Sequence, residues 1–470
     1  MHETDDPADP DLRRPILFVS SPEAGLLNPV LTLAGELARR GVPDLWFATD
    51  ENRRGAVEEL GGDGARSIVE FASLGDVVPE MSAVTWDDET YRAVTQRSRF
   101  KAHRAVIEHT LDPGLRVAKY RKLEAAVDKI EPALMVIESM SQFAFELAIT
   151  RGIPYVLSVP FMASTMLTAY TPFAKSYTGR DFPVPHSGLP YRMTARQRWE
   201  NRLFKLRTLA MFLKPEMAKQ LAKDKEVRAE LGIAPEAGGV MSRIDHAQLV
   251  LCYSVAGLDY PFPVPEHMKL VGALVPPLPQ APGAEELPAW LDAQDSVVYM
   301  GFGTITRLTR EQVASLVEVA RRLGSRGHSV LWKLPSEQQH FLPADLPPTL
   351  RIEDWVPSQF DVLAHPSVKV FFNHGGGNGF HEGIYFGKPL VIRPLWVDCY
   401  DQAVRGADAG VSLTLDRPDT FDPDDVTDKL TRVLEQSRYR TRAEHFSRAQ
   451  REAGGREAAA DAVLALLARP

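Results

Sequence analysis

The sequence is poor in cysteine, with only Cys252 and Cys399 among its 470 residues. Two thiols so far apart in the chain are not a disulfide framework, and they favour a reducing compartment. No run of about 18 apolar residues is present, so we expect no segment that crosses a bilayer. The first fifteen residues are acidic and contain proline, the reverse of a signal peptide, so we expect a cytoplasmic location.

An excess of positive charge is also missing. The chain has 54 Lys and Arg against 62 Asp and Glu, a net charge of −8, whereas binding to nucleic-acid backbones favours the opposite sign. We therefore expect no nucleic-acid partner, although backbone amides can still hold a small phosphorylated ligand. Residues 192–225 are the local exception, with ten Lys or Arg. Charge runs of this kind are usually solvated helical faces, and the alternative is peripheral contact with a membrane.

What is present is an ordinary globular composition, 44% apolar and 25% charged. Short apolar runs alternate with helical stretches, which predicts an α/β protein with parallel strands. Eight prolines fall within residues 260–288, too many for a regular element. We therefore predict two doubly wound, Rossmann-like domains that face one cleft. The expected limits are a first domain over 1–258, a linker over 259–290, a second domain over 291–440, and a C-terminal helix over 441–470.

The most informative stretch is the glycine-rich loop at 374–379, which follows an apolar strand and precedes a helix. The first amides of a helix are unpaired and carry partial positive charge, and glycines let an anion approach the main chain. His374 is placed to donate a hydrogen bond to a phosphate oxygen, and Glu382, further along the helix, to accept from a ribose diol. The alternative is a strand-to-helix turn without a ligand.

Three further loops follow predicted strands. Gly303 and Thr304 form a second candidate phosphate loop, with a plain turn as the alternative. Trp355 and the adjacent Val356 end another strand, where an indole can stack on a base or belong to the core. Asp398, Asp401 and Gln402 offer carboxylates and an amide to sugar hydroxyls, although either Asp can instead cap a helix.

Several other chemistries are disfavoured. The residues after His381 lack the second His of a zinc-protease helix, and no Gly-x-Ser-x-Gly elbow or P-loop is present. The acidic cluster 422–425 is more typical of a helix start than of a metal site. We expect neither a metal nor another cofactor.

With these residues in place, the chain resembles the family-one, GT-B-fold glycosyltransferases, inverting enzymes that glycosylate natural products, sterols and xenobiotics. The similarity covers about fifty residues of the donor motif and the two-domain plan of the whole chain. It implies a UDP-sugar donor and a small hydrophobic acceptor, as in antibiotic biosynthesis. The donor-site residues that it implies are Gly303, Thr304, Trp355, Val356, His374, Gly376, Gly377, Asn378, Gly379, Glu382, Asp398, Asp401 and Gln402. In the sugar-binding segment two registers stay open, and Glu382 favours UDP over dTDP.

The resemblance fails at the amino-terminal base. The family usually has Gly-His-x-Asn-Pro after the first strand, whereas here residues 25–29 place Leu26 at the histidine position. Leucine cannot accept a proton, and a positioned base contributes roughly 10²–10⁴-fold to the rate. Three explanations stay open: Glu23 or Glu138 serves as the base, the acceptor is already acidic or nucleophilic, or the chain is a non-catalytic partner protein. We expect acceptor specificity to lie within residues 162–190 and around Trp86.

Overall fold

The computed structural model describes residues 14–62 and 64–468, so the acidic start of the chain, residues 1–13, lies outside it. In this part of the chain, thirteen strands form two sheets in which every strand pair is parallel. The strands are β1 (Ile16–Val19), β2 (Leu45–Thr49), β3 (Val69–Ser73), β4 (Leu134–Glu138), β5 (Tyr155–Val159), β6 (Leu249–Cys252), β7 (Met268–Leu270), β8 (Val297–Gly301), β9 (Ser329–Lys333), β10 (Leu350–Glu353), β11 (Val368–Asn373), β12 (Leu390–Ile392) and β13 (Ser412–Thr414).

The first sheet has the order β3-β2-β1-β4-β5-β6-β7, and the second has the order β10-β9-β8-β11-β12-β13. The helices are α1 (Ala24–Arg39), α2 (Arg54–Glu58), α3 (Asp88–Thr95), α4 (Arg99–Thr110), α5 (Val117–Ile130), α6 (Gln142–Arg151), α7 (Ala163–Leu167), α8 (Ala195–Phe212), α9 (Pro215–Glu230), α10 (Ser242–Asp245), α11 (Glu286–Asp292), α12 (Arg310–Gly324), α13 (Ser336–Gln339), α14 (Gln359–Ala364), α15 (Gly377–Tyr385), α16 (Val397–Asp408), α17 (Pro423–Glu435), α18 (Ser437–Glu452) and α19 (Gly455–Leu467).

The central strands are buried on both faces, which explains their continuous apolar runs. In β1, Leu17 and Val19 pack into one hydrophobic cluster, whereas Ile16 and Phe18 pack into another on the opposite face. The second sheet is covered on both faces in the same way. Two doubly wound layers are therefore present, as predicted. The acidic cluster 422–425 begins α17, with the Asp422 side chain accepting from the Asp424 amide, as the sequence also indicated.

The expected linker, 259–290, contains regular structure. Strand β7 lies within it and extends the first sheet, and α11 begins before its end. The expected C-terminal helix, 441–470, is divided between α18 and α19, with Gly454 in the left-handed region at φ 90°. Helix α19 packs on α1, where Arg40 pairs with Asp461 at 2.6 Å. The chain therefore closes back on its first domain.

The two sheets meet through the segments that follow their strands. A Cβ on Gly377, which follows β11, would lie 2.7 Å from the carbonyl oxygen of Pro160, which follows β5. The buried Arg405 guanidinium donates to Asp259 at 2.9 Å and to the Ser164 hydroxyl at 3.0 Å. Because loops from both halves are in contact here, the ends of the strands share one cleft. None of the described helices combines the length and the apolar character needed to traverse a bilayer.

Candidate functional site

The His374 imidazole is held between two glycines. A Cβ on Gly376 would lie 2.5 Å from His374 Nε2, and a Cβ on Gly303 would lie 2.6 Å from Cε1. Gly375, which lies between His374 and Gly376 in the chain, has a φ of 79°, which favours glycine. The two candidate phosphate loops are thus brought together, and they require small residues because the ring fills the space between them.

The first turn of α15 is open to a ligand. Asn373 closes the preceding turn, since its Oδ1 accepts from the Gly375 amide at 2.7 Å. Among the described residues no side chain caps α15 at Gly376. The amides of Gly377 and Asn378 therefore have no acceptor from within their own helix. Together with the helix dipole, they form an anion site.

Two buried cations that the sequence analysis missed lie near this loop. Lys333 ends β9 and Arg393 follows β12, and neither forms an ion pair with a carboxylate of the described residues. Arg393 Nε donates to the Pro418 carbonyl oxygen at 2.8 Å, while its Nη1 has no partner in this part of the chain. The signal in the sequence that could have indicated both cations was a basic residue at the end of an apolar strand. Buried cations without carboxylates are costly unless an anion binds beside them.

His374 is neutral in this environment. Burial, followed by the charges of Arg393 and Lys333, lowers its pKa to about 4. At neutral pH the ring therefore carries one N–H, which can donate a hydrogen bond but contributes no net charge. Within the described structure its Nδ1 is buried and has no partner.

Glu382 ends a short chain of hydrogen bonds across the second domain. The Tyr299 hydroxyl donates to Gln359 Oε1 at 3.1 Å, and Gln359 Nε2 donates to Glu382 Oε2 at 2.7 Å. Burial raises the pKa of Glu382 to about 7. Glu382 also lines an interdomain cleft, together with Asn28 and Asn378. Gln359 is a second residue that sequence reasoning missed.

Trp355 is 60% exposed, so the alternative that it belongs to the core is excluded. Its indole lies beside Lys333, whose Nζ is 4.1 Å from the ring centroid. The adjacent Val356 is buried, and Thr304 is exposed in the other loop. Trp355 thus offers an accessible aromatic surface close to the buried Lys333.

The two aspartates at the start of α16 have different surroundings. Asp398 Oδ2 accepts from Gln402 Nε2 at 2.7 Å, and burial, followed by the charge of Asp401, raises its pKa to about 7. Asp401 instead accepts from two amides of the first domain, those of His186 at 2.6 Å and Gly188 at 2.9 Å. Both oxygens of Asp401 are thus engaged in an interdomain contact.

In the first domain, Glu138 ends β4 and is fully buried. It accepts from the Met140 amide at 2.6 Å, from Ser139 Oγ at 3.2 Å and from Ser141 Oγ at 3.1 Å. Burial raises its pKa to about 7. Ser141 Oγ lies 3.3 Å from Ser21 Oγ in the loop before α1, so a hydrogen-bonded path leads away from the carboxyl group.

Glu23 immediately precedes α1, and Leu26 lies in the first turn of that helix. Burial raises the pKa of Glu23. Its side chain lines a cavity with Asp50, Ser82 and Lys119, apart from the cleft lined by Asn28 and Asn378. Ser21, at the end of the path from Glu138, lines the same cavity, and the charge of Glu23 also raises the pKa of Glu138, so the structure brings the two candidate bases close together.

A histidine pair that the sequence did not indicate lies beside the interdomain contact. His103 Nδ1 and His186 Nδ1 are 3.1 Å apart, and the Tyr170 hydroxyl is 3.1 Å from His186 Nε2. Burial lowers the pKa of His103 to about 4 and that of His186 well below its usual value. This cluster fixes the segment 162–190, which the sequence associated with acceptor specificity. No group of three His, Cys, Asp or Glu among residues 14–62 and 64–468 is arranged to hold a metal.

Two facing, parallel Rossmann-like sheets with a glycine loop at their junction define the GT-B glycosyltransferase fold. Solved structures support this assignment. The glycosyltransferase of kitacinnamycin superimposes with a TM-score of 0.67 at 20% identity, covering 96% of this chain and 98% of that one. Phytolacca americana UGT2, complexed with UDP-2-fluoro-glucose and pterostilbene, gives a TM-score of 0.64 at 17% identity, covering 97% of this chain and 100% of that one.

The sequence identifies the family. The model for "UDP-glucoronosyl and UDP-glucosyl transferase" matches residues 70–453, and the chain belongs to this family. UDP-glucuronosyltransferase 2A3 of Cavia porcellus is 27% identical over 361 residues, which are 76% of this chain and 62% of that protein. The 2-hydroxyacylsphingosine 1-beta-galactosyltransferase of Rattus norvegicus is 29% identical over 208 residues, 44% of this chain and 37% of that protein. The chain thus spans less than two thirds of these relatives' lengths.

Proposed function

We propose that this protein is an inverting glycosyltransferase that moves a hexose from a UDP-sugar to a small hydrophobic acceptor. The observation that carries the proposal is the anion site around His374, where open helix amides and two unpaired buried cations surround a neutral imidazole. Such a site suits a diphosphate in a protein whose net charge is negative. Membership of the family supports the choice of a nucleotide sugar.

The donor would lie along the carboxyl ends of the second sheet. Trp355, next to the buried Val356, would stack on the base, and Glu382 would accept from the ribose diol. The amides of Gly377, Asn378 and Gly379 and the Thr304 hydroxyl would bind the diphosphate, whose charge Lys333 and Arg393 would balance. The sugar would then extend towards α16 and the first domain.

In the reaction, an acceptor oxygen forms a bond to the anomeric carbon while the bond from that carbon to the diphosphate breaks. The electron pair of the broken bond leaves with UDP, and the acceptor proton passes to a base. One in-line displacement inverts the configuration of the anomeric carbon. The His374 N–H and the α15 amides stabilise the charge that develops on the leaving oxygen, and this effect is usually among the largest in catalysis.

The base is the open question, because Leu26 offers no proton acceptor. Glu138 has a pKa of about 7, which suits a general base near neutral pH. It is buried, so the proton would reach it through Ser141 and Ser21, whose hydroxyl groups form the path described above. Glu23 is the second candidate. A phenol, thiol, carboxylate or activated ring carbon as acceptor would reduce the need for either.

For the sugar, the Asp398 register has the better support. Asp398 and Gln402 are paired with each other, and Gln402 Nε2 lies 3.6 Å from the Cβ position of Gly377 in the glycine loop. The Gln402 carbonyl oxygen has no partner among the described residues. We therefore assign sugar hydroxyls to Asp398 and Gln402, and an interdomain role to Asp401.

The replacement of the usual histidine by Leu26 favours one alternative, a non-catalytic protein of the same fold that binds a nucleotide and stabilises a partner enzyme. Turnover distinguishes the two functions. The full-length protein is incubated with UDP-glucose and other UDP-hexoses and with phenolic and alcoholic acceptors, and UDP release is measured. Calorimetry with UDP is run in parallel.

For the transferase we expect UDP binding and acceptor-dependent release. His374→Ala should reduce kcat by roughly 10²–10³-fold, as loss of one donor to a developing oxyanion does. Binding without release on any acceptor would support the partner protein. Absence of UDP binding would contradict both functions, and unchanged kinetics in His374→Ala would remove the phosphate role of that residue.

A further inference from the structure

Helix α8 (Ala195–Phe212) buries one mixed face against the first domain, formed by Asn201, Phe204, Lys205, Thr208 and Met211. The opposite face exposes large apolar side chains: Trp199 is 61%, Leu206 is 47% and Leu213, the residue after the helix, is 74% exposed. An ordinary surface helix has a polar outer face, so the outer face of α8 requires an explanation.

These outer residues form a continuous stripe. Together with Leu203 and Ala210, they follow spacings of four and three residues, which place all five within an arc of about 80° on an α-helix. We call this set, residues 199, 203, 206, 210 and 213, the α8 stripe. Its length and single direction distinguish it from the scattered apolar residues that every protein surface carries.

Basic residues border the α8 stripe. Arg196 and Arg207 lie on one side of it and Arg202 on the other, and all three are exposed. Residues 192–225 contain ten Lys or Arg against three acidic residues, a local net charge of +7 in a chain of net charge −8. The rest of the chain therefore carries −15, and this helical region is the positive pole of a negative protein.

We propose that the α8 stripe docks on the surface of an anionic lipid bilayer. An amphipathic helix lies in the membrane interface when its apolar residues enter the acyl boundary and its basic residues meet anionic headgroups. The α8 stripe supplies Trp and Leu, and arginines border it on both sides. An anionic bilayer surface binds this arrangement of side chains.

Charge selects the membrane over other occupants. Two copies that met through the α8 stripe in a symmetric dimer would bring two regions of net charge +7 together, which opposes that association. Nucleic acid would satisfy the arginines but would leave Leu206 and Leu213 against water or phosphate. An anionic bilayer offers both negative charge and an apolar layer to the same helix face.

The inner face of α8 connects this docking surface with the interdomain cleft. Asn201 Oδ1 accepts from the Val184 amide at 2.8 Å, Asn201 Nδ2 donates to the Phe182 carbonyl at 3.0 Å, and Lys205 Nζ donates to the Arg180 carbonyl at 3.0 Å. The segment held in this way continues to His186, whose amide binds Asp401. A docked α8 would therefore hold one wall of the cleft close to the lipid, where hydrophobic molecules concentrate.

Vesicle co-sedimentation with the full-length protein tests the proposal without donor or acceptor, so its result is independent of glycosyl transfer. Phosphatidylcholine vesicles with and without phosphatidylglycerol are compared at low and high salt. The apolar variant is Leu206→Glu/Leu213→Glu, the charge variant is Arg196→Gln/Arg202→Gln/Arg207→Gln, and Ile68→Glu, at an exposed apolar residue outside the stripe, is the control. Circular dichroism melting verifies that each variant is folded.

We expect the wild type to bind vesicles with phosphatidylglycerol and to lose binding at high salt. The apolar and the charge variants should each lose about tenfold or more in partition coefficient, while Ile68→Glu binds like the wild type. Failure of the folded wild type to sediment with these vesicles would overturn the proposal. So would equal binding by all variants, binding to RNA alone, or a concentration-dependent dimer that the apolar variant abolishes in the absence of lipid.

Discussion

The β1–α1 and β11–α15 connections each join a central strand of one sheet to the helix that follows it, and they are built in opposite ways. In the second half, Gly376 must lack a side chain because His374 fills the adjacent space. In the first half, Gly25 is also at a helix start, yet a Cβ there would meet nothing within 4 Å. One connection is closely packed around an imidazole, and the other is open and has Leu26 in its first turn.

The buried charges in the two halves also differ. Near His374 the buried groups without an ion pair are two cations, Lys333 and Arg393, whereas in the first half the carboxyl group of Glu138 is buried at the end of β4. An excess of cations suits a bound diphosphate, and a carboxyl of raised pKa suits the receipt of a proton. The comparison supports the proposal that the donor binds to the second half and that the proton acceptor lies in the first.

The largest expected effect tests that assignment in the first half. Glu138→Gln removes the proton acceptor while keeping its size, and it should lower kcat on an alcohol acceptor by about 10²–10⁴-fold. Because Glu138 must be ionised to act, wild-type kcat should rise as pH increases through about 7. UDP release from pH 5.5 to 8.5 measures both, and the rise should be absent from the variant.

Glu23→Gln is the matched comparison, because Glu23 lines the cavity that the path from Glu138 reaches at Ser21. A large loss in Glu23→Gln with full activity in Glu138→Gln would transfer the base to Glu23. Full activity in both variants would exclude both carboxylates and favour an acceptor that is already acidic or nucleophilic. A phenol acceptor should show a smaller loss than an alcohol in either case.

The next largest effect tests the glycine loop in the second half of the molecule. Gly376→Ala is compatible with the backbone, at φ −64°, but its Cβ would displace the His374 ring. A shift of about 1 Å in a positioning group can cost roughly 10²-fold, so we expect a loss of that order in kcat/KM together with weaker UDP binding. Gly25→Ala, at the open helix start, should leave both quantities unchanged. Equal behaviour of the two variants would remove the distinction between the connections.

The sequence analysis predicted the parts of this comparison that rest on local patterns. Continuous apolar runs located β1, β4, β5, β8, β9 and β11, and adjacent glycines located the loop around His374. Strands β3, β7 and β13 were not predicted, because β3 is partly exposed and β7 and β13 have only three residues each, so none has a buried strand's pattern. Lys333 and Arg393 were missed because only the packed fold brings them close to His374. The His103–His186 pair was missed because only the packed fold brings these two histidines together from distant segments.

A smaller effect distinguishes two aspartates that lie one turn apart on α16. Asp398→Asn should lower kcat/KM for the UDP-sugar by roughly tenfold, as loss of a charged hydrogen-bond partner does, and should leave UDP affinity unchanged. Asp401→Asn should instead lower the free energy of unfolding by about 1–3 kcal/mol, because Asn can accept from only one of the two amides that Asp401 binds. Steady-state kinetics, calorimetry and thermal melting separate the two results. The reverse pattern would assign the sugar to Asp401.

The smallest effect concerns the ribose contact proposed for Glu382. With a pKa of about 7, this carboxyl gains charge as pH rises from 6 to 8, and charged acceptors make stronger hydrogen bonds. The preference for UDP over 2′-deoxy-UDP should therefore increase with pH, by about three- to tenfold over this range. The phosphate groups of both ligands titrate alike, so their contribution cancels in the ratio of dissociation constants. Calorimetry with both ligands at pH 6, 7 and 8 gives this ratio, which should become independent of pH in Glu382→Gln. A ratio that is already constant in the wild type would place the ribose away from Glu382.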